Sequence, residues 1–445
     1  ISATGKLPPN LQGLWEPGLK AVWNGDFHLN INVQMNHWPA DLTGLGECNE
    51  PFFALLRNLH RHGRDAAASL GCRGYAAGLA SDAWGVADWV GGSPEWDSFI
   101  LGGHWAQQHL MEHYRFTGDR GFLRDNAWPV LKDGSLFLLD WLRPHPETGQ
   151  LIAGPGASPE NIFTWEDAAG NKHNSYISIG NTGDHAIAAE TFADTLECAR
   201  LLGIDDDFTR QVAAALRRVP APPIGADGRI MEWHQPFGEP WPGHRHKSHL
   251  YGLHPGREFD PISNPELAAA AEKSLRFRMD PRHGDTGGGG RTGWNLAWSA
   301  NLWARLHQGD EALAVIREQL RTQVYENLFN RCGGPFQIDG NLGTTAAIAE
   351  MLVQSHREAR NNQQPAGHEI HLLPALPHAW PNGSVNGLRA RGGFEVDVEW
   401  KDNKVVTATI RATTASKAMV RYRDRVIPLA LKPGEVRTLR GELLE

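Results

Sequence analysis

Cysteine is scarce: the 445 residues contain four, at positions 48, 72, 198 and 332. They are widely scattered, and none forms a CxxC or a Cys/His pair at zinc spacing. This argues against a structural metal site and against a disulfide framework, although a single bridge stays open. A basic excess is also missing. Lys plus Arg is 43 and Asp plus Glu is 51, for a formal net charge of −8, so nothing is set aside to hold a phosphate backbone and nucleic acid is not an expected partner. No stretch approaches the roughly 18–20 uninterrupted apolar residues of a membrane-spanning helix. The opening Ile1-Ser-Ala-Thr-Gly-Lys-Leu-Pro-Pro lacks the basic and apolar regions of a secretory signal. No short repeat period is visible, which excludes an open solenoid.

What remains is ordinary globular composition: 41% hydrophobic and 21% charged residues, arguing against disorder. The length allows two to three domains, or one large architecture with an appendage. Gly 49 and Pro 28 imply many turns, and Trp 17 and His 21 are high counts for this length. Tryptophan offers a flat apolar face with one polar handle, a surface that suits the C–H faces of sugar rings.

Up to about residue 360 the chain reads as helices joined by long loops. Phe52, Leu55, Leu56 and Leu59 keep helical spacing, as do Ala188, Phe192, Leu196, Ala199 and Leu202, with Gly203 as a stop. Trp298, Leu302 and Leu306 form another stripe ending near Gly309, and Leu313, Ile316 and Leu320 a further one. Ile348, Met351 and Leu352 predict a helix inside Thr345–Ser355. All are read as core packing. The intervening segments 10–49, 72–104, 151–182, 232–256, 280–295 and 329–344 are rich in Gly, Trp, His, Asn and Asp, where sites tend to be built. Many helices with elaborate loops suggest a closed ring of helix hairpins, with a helical bundle as the alternative. After residue 365 the period changes to two. Phe394, Val396, Val398 and Trp400 alternate with acidic residues, Asp402-Asn403 turns the chain, and Val406, Ala408, Ile410 and Ala412 follow. This predicts an antiparallel β-domain over 366–445 behind a helical domain over 1–365.

Five segments could carry chemistry. In His28-Leu-Asn30-Ile-Asn32-Val-Gln34-Met-Asn36, extended chain would place His28, Asn30 and Asn32 on one face. Amides gathered on one side suit a hydroxyl-rich ligand or water, the alternative being a solvated edge strand. In Ser158-Pro-Glu160-Asn161 a carboxylate sits in a Pro-flanked loop beside apolar residues, where desolvation would raise its pKa as a general acid requires; a helix start explains it equally well. Phe336-Gln-Ile-Asp339-Gly-Asn341 runs into a helix, with a cap as the plain explanation. Gly243-His244-Arg245-His246-Lys-Ser-His249 is compact and cationic, suited to hydrogen-bonding a substrate; a solvated or capping cluster is the alternative, and metal ligation also competes, but no acidic partner in the segment supports it. Gly287 to Gly290 lacks the phosphate-loop pattern and a preceding strand.

Taken in order, Asn10-Leu-Gln-Gly-Leu-Trp15, His28 to Pro39, Ser158 to Asn161, His244 to Leu250, Phe336 to Asn341 and His371-Leu-Leu-Pro-Ala-Leu376 resemble glycoside hydrolase family ninety-five. The family's best-known activity is 1,2-α-L-fucosidase, and α-L-galactosidase also occurs in it. The resemblance covers nearly the whole chain. It implies a six-hairpin (α/α)6 toroid followed by a small antiparallel β-domain. Members normally carry an N-terminal β-sandwich and helical linker as well, which are not found here, so the chain is expected to be incomplete at its start. Three stretches depart from relatives: Leu79-Ala80-Ser81-Asp82-Ala83-Trp84 for His-Asn-Thr-Asp-Leu-Trp, Thr182-Gly183-Asp184 for Thr-Met-Asp, and Gly343-Thr344 for two glycines. They are expected to line or neighbour the pocket and to bear on the exact substrate.

The resemblance implies an inverting exo-α-L-fucosidase acting on terminal α-(1,2)-linked fucose of glycans, with no metal or organic cofactor. Glu160 is then the general acid. Asn30 and Asn32 hold the water, and Asp339 orients and polarises both amides. His28, Arg245 and His246 hydrogen-bond sugar hydroxyls, and Trp105 walls the C5 methyl. Export, to the periplasm or outside the cell, is expected from the family alone. The rivals are an α-L-galactosidase, a non-catalytic fucoside-binding protein, and another toroid enzyme such as a phosphorylase or lyase.

Overall fold

A computed structural model describes residues 5–441 apart from 14, 17, 90–91, 284–289, 362–363 and 415. Most of the Gly287 to Gly290 run therefore lies outside the described residues.

The helical part is a toroid whose first and last long helices meet. Asn32–Leu42 packs on Asp339–Leu352, which packs on Gly293–Arg305; on the other side Asn32–Leu42 packs on Gly102–Thr117, and that on Thr182–Leu202. These inner helices are buried nearly all round. Every residue of Gly293–Arg305 is buried, and in Asn32–Leu42 all but Asp41. The outer helices are amphipathic instead: Asp207–Leu216 buries only Thr209, Val212 and Ala215, the one-sided stripe of a surface helix. Polar residues that the inner helices bury find partners inside the ring. Arg305 donates to both oxygens of Glu350 at 2.8 and 3.0 Å, and Asn301 Nδ2 donates to the Gly343 carbonyl at 2.9 Å.

The helical stripes fall where their spacing places them. Phe52, Leu55, Leu56 and Leu59 are buried within Glu50–Ser69, and Gly203 ends Thr182–Leu202 with φ 78°. Leu320 and Ile348 are exceptions, 51% and 36% exposed, because they point away from the ring. The last helix begins at Asp339, six residues before Thr345. Among the described residues four two-stranded ribbons interrupt the loops, including Phe27–His28 with Ala80–Ser81 and Gly156–Ala157 with Ile177–Ser178.

Beyond Leu352 the chain is β-structure in a five-stranded and a four-stranded sheet. Phe394, Val396, Val398 and Trp400 all point inward. Two details differ from the alternation read in sequence. A register shift beside Trp400 pairs it with Val405, so Val405 is buried and Val406 is exposed. One pairing, His368–His371 with Ala418–Arg421, is parallel. Arg391 donates to Glu112 at 2.9 Å and so ties this region to the Gly102–Thr117 helix. Among the described residues no helix is long and apolar enough to cross a membrane.

Candidate functional site

At one end of the ring lies a cavity of about 400 Å³. His28, Asn32, Glu160, Arg245 and His246 line it, with Trp23, Trp96 and Trp294. Five segments far apart in sequence therefore converge.

The segment 28–36 does not run extended. The strand stops at His28, a turn through Leu29–Ile31 follows, and the helix starts at Asn32. The Gln34 side chain is the reason: its Nε2 donates to the Leu29 carbonyl at 2.6 Å and closes the turn. Both asparagines still reach the site, from the turn and from the first residue of the helix. Asn32 Nδ2 donates to Asp339 Oδ2 at 2.5 Å, between buried side chains. Asn30 Nδ2 donates to Glu160 Oε1 at 3.0 Å. Each asparagine amide is thus tied to a different acid, whereas the expectation had Asp339 behind both. The Asn30 Oδ1 is buried and accepts no hydrogen bond from the described residues.

Glu160 sits in the loop that follows the Gly156–Ala157 strand. Its Oε2 pairs with the Arg245 guanidinium, and His246 Nε2 lies 3.7 Å from its Oε1. Arg245 therefore serves the carboxyl group as well as facing the cavity. The Asn295 side chain holds the Arg245 carbonyl. Burial drives the His246 imidazole well below its ordinary pKa, helped by Arg245 and Lys247, and pushes His28 down to about 4. Both are neutral near pH 7 and can donate and accept one hydrogen bond each. The Asp339 carboxyl is fully buried, and that desolvation pushes it up to about 7 against the bonds from Asn32 and the Gly340 N–H.

Trp105 is not at the cavity. It is fully buried, with its ring 5.3 Å from Tyr251 and 5.9 Å from Trp298, because its place on an inner helix turns it into the core of the ring. The tryptophans at the cavity are Trp23, Trp96 and Trp294, which sequence reasoning passed over; nothing local distinguishes them from core tryptophans. Of the departing stretches, Leu79 and Ala80 line the cavity, while Trp84 is 76% exposed elsewhere. Asp184 is buried and accepts from Asn181 at 3.0 Å. His244 is stacked between Trp241 and His246. Among the described residues no group of three His, Cys, Asp or Glu side chains is placed to hold a metal ion.

Gly340 fixes the approach of Asp339. A methyl group there would collide with the buried Asn330 side chain, as it would at Gly293. Gly340→Ala is expected to cost about 1–3 kcal/mol by overpacking and to lower activity by displacing Asp339; thermal melts and turnover measured side by side would check both.

The sequence matches the model of the glycosyl hydrolase family 95 catalytic domain over residues 1–352, and that of the family 95 C-terminal domain over 363–440. "Alpha-L-fucosidase 2" of Arabidopsis thaliana is 37% identical over 456 aligned positions, covering 99% of this chain and 51% of that protein. "Probable alpha-fucosidase A" of Aspergillus niger is 32% identical over 91% of this chain and 51% of its own length. The chain thus spans about half the length of these curated relatives. A human-microbiome protein provisionally named a kojibiose phosphorylase has a similar fold, with a TM-score of 0.65 at 10% identity over 99% of this chain and 63% of its own. The toroid, the β-domain behind it and the two domain matches in this order lead to one assignment: the chain belongs to glycosyl hydrolase family 95.

Proposed function

We propose that this chain forms the catalytic part of an inverting, exo-acting α-L-fucosidase that releases terminal α-(1,2)-linked fucose from glycans. One observation carries the reading: Glu160 and Asn32 line a single cavity, Glu160 bonded to the Asn30 amide and Asn32 bonded in turn to the buried Asp339 behind it. Hydrolysis needs a proton for the leaving oxygen and an activated water at the anomeric carbon. Glu160 supplies the proton. The water is held by the amide carbonyls of Asn30 and Asn32; the buried, unpartnered Oδ1 of Asn30 is an acceptor of the kind required. An amide aligns a water but cannot keep its proton, so the negative charge comes from Asp339 behind Asn32. His28, Arg245 and His246 bind sugar hydroxyls. The cavity volume is at the low end of the roughly 300–1,000 Å³ usual for small-ligand sites, which suits a terminal sugar better than a long chain. The domain split at residues 365/366 is part of this reading. Toroid enzymes of other chemistry would show themselves by phosphate-dependent turnover or an unsaturated product.

The apolar lining at Leu79 and Ala80 suits the C5 methyl of fucose over the hydroxymethyl of L-galactose. The nitrophenyl α-L-fucoside is therefore expected to be the better of the two corresponding substrates. Incubation with 2′-fucosyllactose should liberate fucose, with the β-anomer first in a proton NMR time course. Binding without release would leave a lectin-like protein, and α-fucose first would mean retention.

A further inference from the structure

We propose that Glu232 is the positioning residue of the proton donor, a buried carboxylate that fixes the loop carrying Glu160 from both sides. The proposal rests on the reading of Glu160 given above. The Ser158-Pro-Glu-Asn161 loop has no regular ladder to fix it. Instead, Ser158 Oγ donates to Glu232 Oε1 at 2.7 Å, and Asn161 Nδ2 donates to Glu232 Oε2 at 2.9 Å. The residues two before and one after Glu160 are thus held by the two oxygens of one side chain. A third tether comes from Ser248, whose hydroxyl donates to the Pro159 carbonyl at 3.2 Å. Glu232 is itself immobilised: it is 4% exposed, its backbone carbonyl accepts from the Thr182 N–H at 3.0 Å, and its Oε2 pairs with Arg278.

Arg278 extends the same frame to the other wall of the cavity. Its Nη1 donates to the carbonyls of Trp241 and Pro242 at 3.1 and 3.2 Å, just ahead of Arg245 and His246. One buried ion pair therefore sets both the loop bearing the acid and the segment that pairs with it. Such a pair contributes little net stability, because desolvation offsets the attraction; what it supplies is a single geometry. Acid catalysis depends on that geometry, since small displacements of a reacting group are costly. Glu232 touches neither the cavity nor Glu160, so its effect passes through Ser158 and Asn161.

Two substrates separate this role from a general loss of structure. Fluoride leaves a sugar without being protonated, so α-L-fucosyl fluoride needs the water but not the acid. The lactose alkoxide of 2′-fucosyllactose needs both. In Glu232→Gln the amide oxygen can serve Asn161 while the NH2 turns to the Ser158 hydroxyl, which must then accept, so charge-assisted tethers become neutral ones and the loop is loosened. The ratio of kcat on fucosyllactose to kcat on the fluoride is expected to fall at least about tenfold, with KM for the fluoride little changed. Glu160→Gln, run in parallel, should shift the ratio further in the same direction. Because Glu232→Gln also leaves Arg278 with Glu239, 3.1 Å away, as its counter-charge, Ser158→Ala tests the tether with the Glu232–Arg278 pair intact, and a drop in the ratio of about threefold is expected. Equal losses on both substrates, or a folded Ser158→Ala with the wild-type ratio, would overturn the role of Glu232. If Glu160→Gln leaves the ratio unchanged, the assignment of the acid fails instead.

Discussion

Glu160→Gln is expected to lower kcat on a fucosylated glycan by about 10²–10⁴-fold, the span usually attributed to a positioned general acid. The amide keeps the shape of the side chain and can still accept from Asn30, whose Nδ2 lies 3.0 Å from Oε1. Binding of free fucose, followed by calorimetry, should therefore change little. The Arg245 pair is lost, so a modest weakening is the largest binding effect expected. Near-normal turnover by this variant would remove Glu160 from the mechanism.

Asp339→Asn is expected to be as damaging to turnover and opposite in its effect on stability. An asparagine can still accept from Asn32, but it carries no charge to balance the proton released by the attacking water. The native carboxyl titrates near 7, against 3.8 for an ordinary aspartate, because burial disfavours the ionised form. The folded state thus holds the proton more tightly than the unfolded chain. Stability accordingly falls as pH rises from about 4 to 7 and stays reduced above that range, by an amount on the order of 4 kcal/mol. In the proposed mechanism Asp339 works ionised, so activity runs the other way and wild-type kcat should decline as pH drops below about 7. Asparagine does not titrate. The variant should therefore melt close to wild type near pH 4 and well above it at pH 8. Thermal melts at the two pH values check this; a gap that fails to widen would mean that Asp339 is not held in the low-dielectric setting described. A site that gives up stability for function is a familiar trade.

Much of this site was legible in the sequence because its polar residues come in dense local runs. Amides packed around Asn30 and Asn32, a glutamate between proline and asparagine, and an Asp-Gly ahead of a helix are all costly to bury without purpose. The local conformation was less legible. Alternation from His28 to Asn36 imitates a strand, and the bond from Gln34 to the Leu29 carbonyl that converts it into a turn and a helix leaves no periodic trace. Trp105 shows a second limit. A tryptophan suits a sugar and a core equally well, and only its place on an inner helix decides between them. Glu232 escaped because its partners, Ser158, Asn161 and Arg278, are distant in sequence and its own neighbours are unremarkable. The β-domain was plain from its period of two, but the slip beside Trp400 that buries Val405 in place of Val406 depends on cross-strand pairing, which one strand does not encode.

Asn32 and Asp339 bond across 307 residues, from the opening and closing members of the circle of inner helices. A nascent chain emerging from the ribosome would hold Glu160 and Arg245 long before Asp339, the partner of Asn32, existed. On the function proposed above, catalytic competence then arrives in one late step, when the final turn of the circle docks, and a protein interrupted anywhere upstream of residue 339 is expected to be inert, however well its earlier helices have packed.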